Sequence, residues 1–129
     1  MEIKQIKETC LYVQDLERSK SFYHHILGLP VYSMVENRHI FFKVGPSMLL
    51  CFLPEVTKAD QNLPPHYAYG KQHIALEVSP GVYEKWRNKL RKQGIAIIHE
   101  QHWKEELYSF YFEDPDGHLI EIVPEGIWE

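Results

Sequence analysis

Glu8-Thr9-Cys10-Leu11-Tyr12-Val13 and, 65 residues further on, His73-Ile74-Ala75-Leu76-Glu77-Val78 are the two stretches on which the fold turns. Each alternates apolar with other side chains at the period of two that marks a strand with one buried face. Two more matches keep the same order. Leu27-Gly28-Leu29 aligns with Gln93-Gly94-Ile95 at an offset of 66, and Leu50-Cys51-Phe52-Leu53-Pro54 with Ile120-Glu121-Ile122-Val123-Pro124 at an offset of 70. The chain therefore reads as two copies of one unit of about 55 residues.

Working outward, each copy starts with its strand and continues into a helix. In the first, Asp15 is a candidate N-cap, Leu16, Phe22, Tyr23, Ile26 and Leu27 supply an apolar face, and Gly28 is the stop. In the second, Ser79-Pro80 opens the helix, Val82, Trp86 and Leu90 fall four apart on one face, and Gly94 ends it. Strands are expected at 31–35, 39–44 and 48–53, then at 95–100, 108–113 and 119–123, with Asp114-Pro115-Asp116-Gly117 as a tight turn before the last. The unit is βαβββ, twice, in an α+β domain covering 1–129. Module one spans about 1–54 and module two about 71–125. The polar stretch 55–70, with Pro64-Pro65 and Gly70, is a linker or active-site loop.

Composition narrows the function. Fourteen basic against eighteen acidic residues give a net charge of −4 with no basic block, which argues against nucleic acid and anionic membranes as partners. The apolar runs are too short to span a bilayer, and Met1 to Glu8 lacks a signal peptide's apolar core. Cys10 and Cys51 form no zinc or redox spacing motif, so a reduced, cytoplasmic chain is expected.

Strand parity then sorts the side chains. Thr9, Leu11, Val13, Leu50, Phe52, Ile74, Leu76, Val78, Phe110, Phe112, Ile120 and Ile122 are expected to face the helices. The other parity carries Glu8, Cys10, Tyr12, Leu49, Cys51, His73, Ala75, Glu77, Ser109, Tyr111, Leu119 and Glu121. Carboxylates on the inner face of a sheet are costly unless paired, hydrated or bound to a cation. The repeat makes Glu8 equivalent to His73, and Cys51 equivalent to Glu121.

Three stretches resemble the vicinal oxygen chelate superfamily, which includes glyoxalase I, bleomycin resistance proteins, extradiol dioxygenases and fosfomycin resistance enzymes. They are Leu11 to Tyr23 with Leu27-Gly28-Leu29, Gly70 to Val78, and Phe112 to Ile122 with its Asp-Pro-Asp-Gly turn. The resemblance implies two βαβββ modules forming a cupped, partly open mixed sheet around one divalent metal. Carried over position by position, it implies Glu8, His73 and Glu121 as ligands, with Cys51 at the fourth position. Glu8 stands where a histidine is commoner, and Cys51 where an acid or amide is usual. One imidazole and two carboxylates suit Zn, Mn, Fe or Ni.

The implied function is a metal-dependent enzyme that chelates a small oxygen-rich molecule and stabilises an oxyanion. Lyase, isomerase and dioxygenase chemistry stay open. Proton transfer falls to Glu8, Glu121 or the loop residue His66. Tyr111, Ser109, Trp103 and Arg38 are candidate substrate contacts. Trp86 reads as core, and His24, His25 and His118 as surface. Two alternatives stand beside this reading: a metal-free, bleomycin-resistance-like binding protein and a fosfomycin-type thiol transferase. A homodimer is implied as well, because family members of this size commonly join modules across a subunit interface.

Overall fold

The computed structural model describes residues 1–129, which cluster into two compact units, Met1–Gly70 and Lys71–Glu129. Unit one opens with β1 (Glu8–Tyr12) and α1 (Leu16–Lys20), whose last turns widen over Ser21–Ile26. Asp15 begins the helix because its carboxylate accepts the Arg18 N–H at 3.1 Å, satisfying a donor the first turn leaves open. In the widened turn the Leu27 N–H reaches back to Phe22 C=O at 3.0 Å, and the neighbours Phe22 and Tyr23 both reach the core. Gly28, at φ 78°, takes the left-handed conformation that stops the helix.

The remaining strands of unit one are β2 (Val31–Val35), β3 (His39–Val44) and β4 (Ser47–Phe52), followed by a short α2 (Pro54–Thr57). Their sheet order is β1-β4-β3-β2, parallel only between β1 and β4. Unit two repeats the plan. It has β5 (His73–Val78), a 3₁₀ turn at Pro80–Val82, α3 (Tyr83–Lys92), β6 (His99–Lys104), β7 (Leu107–Glu113) and β8 (Leu119–Pro124). Here the order is β5-β8-β7-β6, again parallel only in the first pair. Both units are thus βαβββ with an open four-stranded mixed sheet, and α1 and α3 lie against their own sheets.

Three expectations need correction. The strand expected at 95–100 is β6 at His99–Lys104. Ile95 is used to close the helix, its N–H reaching Leu90 C=O at 3.0 Å, and laddering starts only where Ile98 N–H meets Tyr111 C=O at 2.9 Å. His118 is buried, not on the surface. Its Nδ1 accepts the Gln72 N–H at 3.1 Å, while Asp114 Oδ1 accepts its backbone N–H at 2.8 Å, so it ties the closing turn to the start of β5.

The third correction concerns the faces of β4. The register pairs Leu11 with Cys51 and Tyr12 with Phe52. Cys51 and Leu49 therefore face the same way as Leu11, into the core, whereas Leu50 and Phe52 share the face of Glu8, Cys10 and Tyr12. Since Glu8 pairs with Met48 and His73 with Leu119, the residue equivalent to Glu121 is Leu50. The repeat offset there is 71, and one residue of slip exchanges every side chain between faces.

Candidate active site

In unit two, β5, β7 and β8 bring His73, Glu121, Tyr111 and Ser109 onto one face of the sheet. The His73 Nδ1 lies 2.9 Å from the Leu119 carbonyl oxygen, which can only accept, so Nδ1 carries the ring proton. The Nε2 lone pair of the neutral ring is then directed elsewhere, and it stands 3.3 Å from Glu121 Oε1. Two acceptors at that separation repel one another unless a proton or a cation is shared between them. The second carboxylate oxygen, Glu121 Oε2, is buried without a hydrogen-bond partner, although the residue is only 5 % exposed. A buried unpaired anionic oxygen beside an oriented imidazole is the chemistry of a divalent-ion ligand pair.

Around this pair, burial pushes the Tyr111 hydroxyl above its ordinary range. A hydrogen bond with Ser109 acts against that shift, a hydrogen bond with the Glu121 carboxylate and the charge of that carboxylate add to it, and the phenol stays protonated. Trp103 donates its Nε1–H to Ser109 Oγ at 2.8 Å, which fixes the serine hydroxyl from the β6 side. His73, Glu121, Tyr111, Ser109 and Trp103 therefore form one cluster.

Unit one presents a cavity of about 640 Å³ on the Glu8 face of its sheet, lined by Glu8, Cys10, Tyr12, Arg38, Phe52 and His66 among others. Tyr12 Oη and His66 Nδ1 are 2.7 Å apart, within hydrogen-bond distance, and burial raises the tyrosine above its usual range. Arg38 is held by Asp60 at 2.9 Å and donates to His39 Nδ1 at 2.6 Å. Cys10 is half-buried, with burial and then the Glu8 carboxylate raising its thiol; it is no activated nucleophile. Glu8 is exposed. Cys51, fully buried on the opposite face, does not line this cavity.

Comparison with known proteins agrees with this architecture. The profile of the Glyoxalase/Bleomycin resistance protein/Dioxygenase superfamily matches residues 5–122. The chain belongs to that superfamily. Among its relatives, the glutathione transferase FosA of Serratia marcescens is 30% identical over 120 residues, covering 93% of this chain and 80% of the relative. The metallothiol transferase FosB of Lysinibacillus sphaericus is 28% identical over 123 residues, with 95% and 83% covered. Among solved structures, the lactoylglutathione lyase from Agrobacterium tumefaciens superposes with a TM-score of 0.93 at 28% identity, covering 98% of each chain.

The positions that the family resemblance implies as metal ligands are unevenly filled. His73 and Glu121 are preorganised as described, and Glu8 lies on the corresponding face of β1. The position on β4 that repeats Glu121 holds Leu50, which has no donor atom. No group of three or more His, Cys, Asp and Glu side chains stands together as a ready-made metal cage. His39, Phe41 and Phe52 also line the unit-one cavity, beyond the residues expected there. The alternation His39-Ile40-Phe41-Phe42 carried a signal for the first two; Phe52 was hidden by the uniformly apolar run of β4.

Proposed function

We propose that this chain is a metal-dependent enzyme that acts on a small oxygen-rich molecule. Glu8, His73 and Glu121 are its protein ligands and Leu50 leaves the fourth position without one. The observation that supports this most is the unpartnered, buried Glu121 Oε2 beside an imidazole whose other nitrogen is already committed to a carbonyl. A bound divalent ion supplies Lewis acidity at the substrate's neighbouring oxygens. The chain's own residues do the rest. Tyr111, protonated and next to Glu121, donates a hydrogen bond to an oxygen on which charge develops. Ser109, oriented by Trp103, positions the same group. His66, whose Nδ1 meets Tyr12 Oη, is the proton carrier of the unit-one cavity. Arg38 is a further substrate contact.

The names of three relatives favour a thiol-bearing partner: a glutathione transferase, a metallothiol transferase and a lactoylglutathione lyase. Thiol addition or the making and breaking of a thiol conjugate is therefore the reaction class to test after metal binding. The deciding experiment is calorimetric titration of chelator-treated protein with Mn²⁺, Zn²⁺ and Ni²⁺. The reading expects one ion per chain and at least about a tenfold loss of affinity in His73→Ala and Glu121→Gln. Unchanged affinity in both variants overturns the ligand assignment. No binding of any of the three ions favours the metal-free binding protein instead.

A further inference from the structure

The aromatic lining of the unit-one cavity is a feature that the metal reading does not use. Phe52 lies buried beneath it, 5 % exposed, and three rings stand nearly perpendicular to that ring: His39 at 74°, Phe41 at 75° and His66 at 77°, with centroids 5.8, 5.4 and 4.6 Å away. His39 is buried too and stacks on one face of Phe41, with centroids 3.9 Å apart. Tyr12 lies close to parallel with Phe52, at 28° and 6.3 Å. Phe41, Tyr12 and His66 are only half-buried, so their ring surfaces are open to an occupant. A site walled by rings at right angles matches the edge-to-face and offset-stacked packing that aromatic ligands prefer. Its volume of about 640 Å³ suits a small molecule.

The polar groups in the cavity are mostly donors. Arg38 can only donate, so His39 Nδ1 accepts from it and the neutral ring carries its proton on Nε2. His66 Nδ1 lies within hydrogen-bond distance of Tyr12 Oη. The Arg38 guanidinium has five N–H groups, of which Asp60 and His39 take one each through Nη2 and Nη1. Asp60 does not line the cavity and backs the guanidinium from behind. Glu8 is the one carboxylate on the wall. Aromatic walls with N–H donors at the Arg38 end select a flat ring that carries an acceptor oxygen.

We propose that this cavity seats a planar aromatic ring bearing a carboxylate or phenolate oxygen, with the ring against Phe41 and Tyr12 and the oxygen at Arg38. This names the substrate class of the enzyme proposed above and rests on that reading for the word substrate. The cavity itself lies within residues 8–66 and can be tested without metal.

The test titrates the full chain, in excess chelator, with 2-naphthoate, its fully saturated analogue and 2-naphthylmethylamine. Saturable binding of naphthoate is expected, with the saturated acid at least about fivefold weaker for loss of ring packing. The amine, which offers donors where acceptors are needed, is expected to be about tenfold weaker. Naphthoate should shift the Cε1–H resonances of His39 and His66 and leave those of His99 and His102 in place. Phe41→Leu and Arg38→Gln should each weaken it. Should Arg38→Gln fail to fold, Arg38→Lys keeps the charge against Asp60 and loses the planar fork. Equal affinity for ring and saturated acid, tighter binding of the amine, no binding of naphthoate, or shifts confined to His99 and His102 would each overturn the proposal. Naphthoate selectivity in a chain that binds no divalent ion overturns the metal reading alone; metal binding without that selectivity overturns this one alone.

Discussion

Glu8, Cys51 and His39 show how much a single side chain's face decides. Glu8 is exposed, so removing its charge relieves no burial. Glu8→Gln is therefore expected to leave the melting temperature of the metal-free protein unchanged and to weaken metal-induced stabilisation. A variant that keeps the full metal-induced shift would remove Glu8 from the ligand set. Cys51 is fully buried among core residues on the other face of β4. Cys51→Ala should cost about 1 kcal/mol or more in a urea melt and leave divalent-ion affinity as it was. His39 carries a pH dependence. Burial lowers its pKa from the ordinary 6.5, and the Arg38 guanidinium lowers it further. The unfolded chain then takes up this proton at a higher pH than the folded chain does. Stability is complete above 6.5 and is lost as the pH falls from there through the folded value. The free energy of unfolding should drop between about pH 7 and about pH 5, and less steeply in His39→Gln. Equal slopes in the two proteins would show that His39 is not responsible.

The secondary-structure elements were legible wherever polarity alternated or a terminating residue was present. β2, β3 and β5 follow from their patterns, and α1 from Asp15 before it and Gly28 after it. Asp15→Ala removes the one side-chain cap on this helix and should cost about 1 kcal/mol, read from the shift of the denaturation midpoint at constant slope. No change would mean that the Arg18 N–H is satisfied equally well by water. β4 and β6 were not legible, for opposite reasons. In Met48-Leu49-Leu50-Cys51-Phe52 every residue is apolar and Leu49 to Phe52 are buried on both faces, so parity has no polarity to follow. In His99-Glu100-Gln101-His102-Trp103-Lys104 nearly every residue is polar, and the apolar Ile95–Ile98 just before it draws the expectation four residues early. The candidate site inherits this division. His73 and Glu121 came from alternating strands and face the expected way, while Cys51 came from the uniform one and does not.

At the scale of the whole molecule, the repeat leaves two sheets, each with a parallel pair at one end. β1 and β5 are the outer strands of those pairs within their own sheets, and each shows a row of backbone N–H and C=O groups along its outer edge. The apolar face of β5 is incompletely covered, since Ile74, Leu76 and Val78 are only half-buried. Ile6, next to β1, is 78 % exposed, and Trp128 at the other end of the chain is 85 % exposed. Apolar surface of this kind is stabilised by association, and closed twofold symmetry is the commonest way to achieve it. The sequence pointed the same way through its family resemblance. A homodimer is therefore expected, with a light-scattering mass twice the 15.3 kDa of the chain at micromolar concentration. Its interface should include Ile6 or Trp128. Ile6→Glu and Trp128→Glu, each placing a charge where apolar area is buried, are expected to shift the scattering mass toward the monomer. A monomeric native chain at micromolar concentration contradicts the dimer. A dimer untouched by both substitutions places its interface elsewhere on the chain, away from the apolar surface from which it was argued.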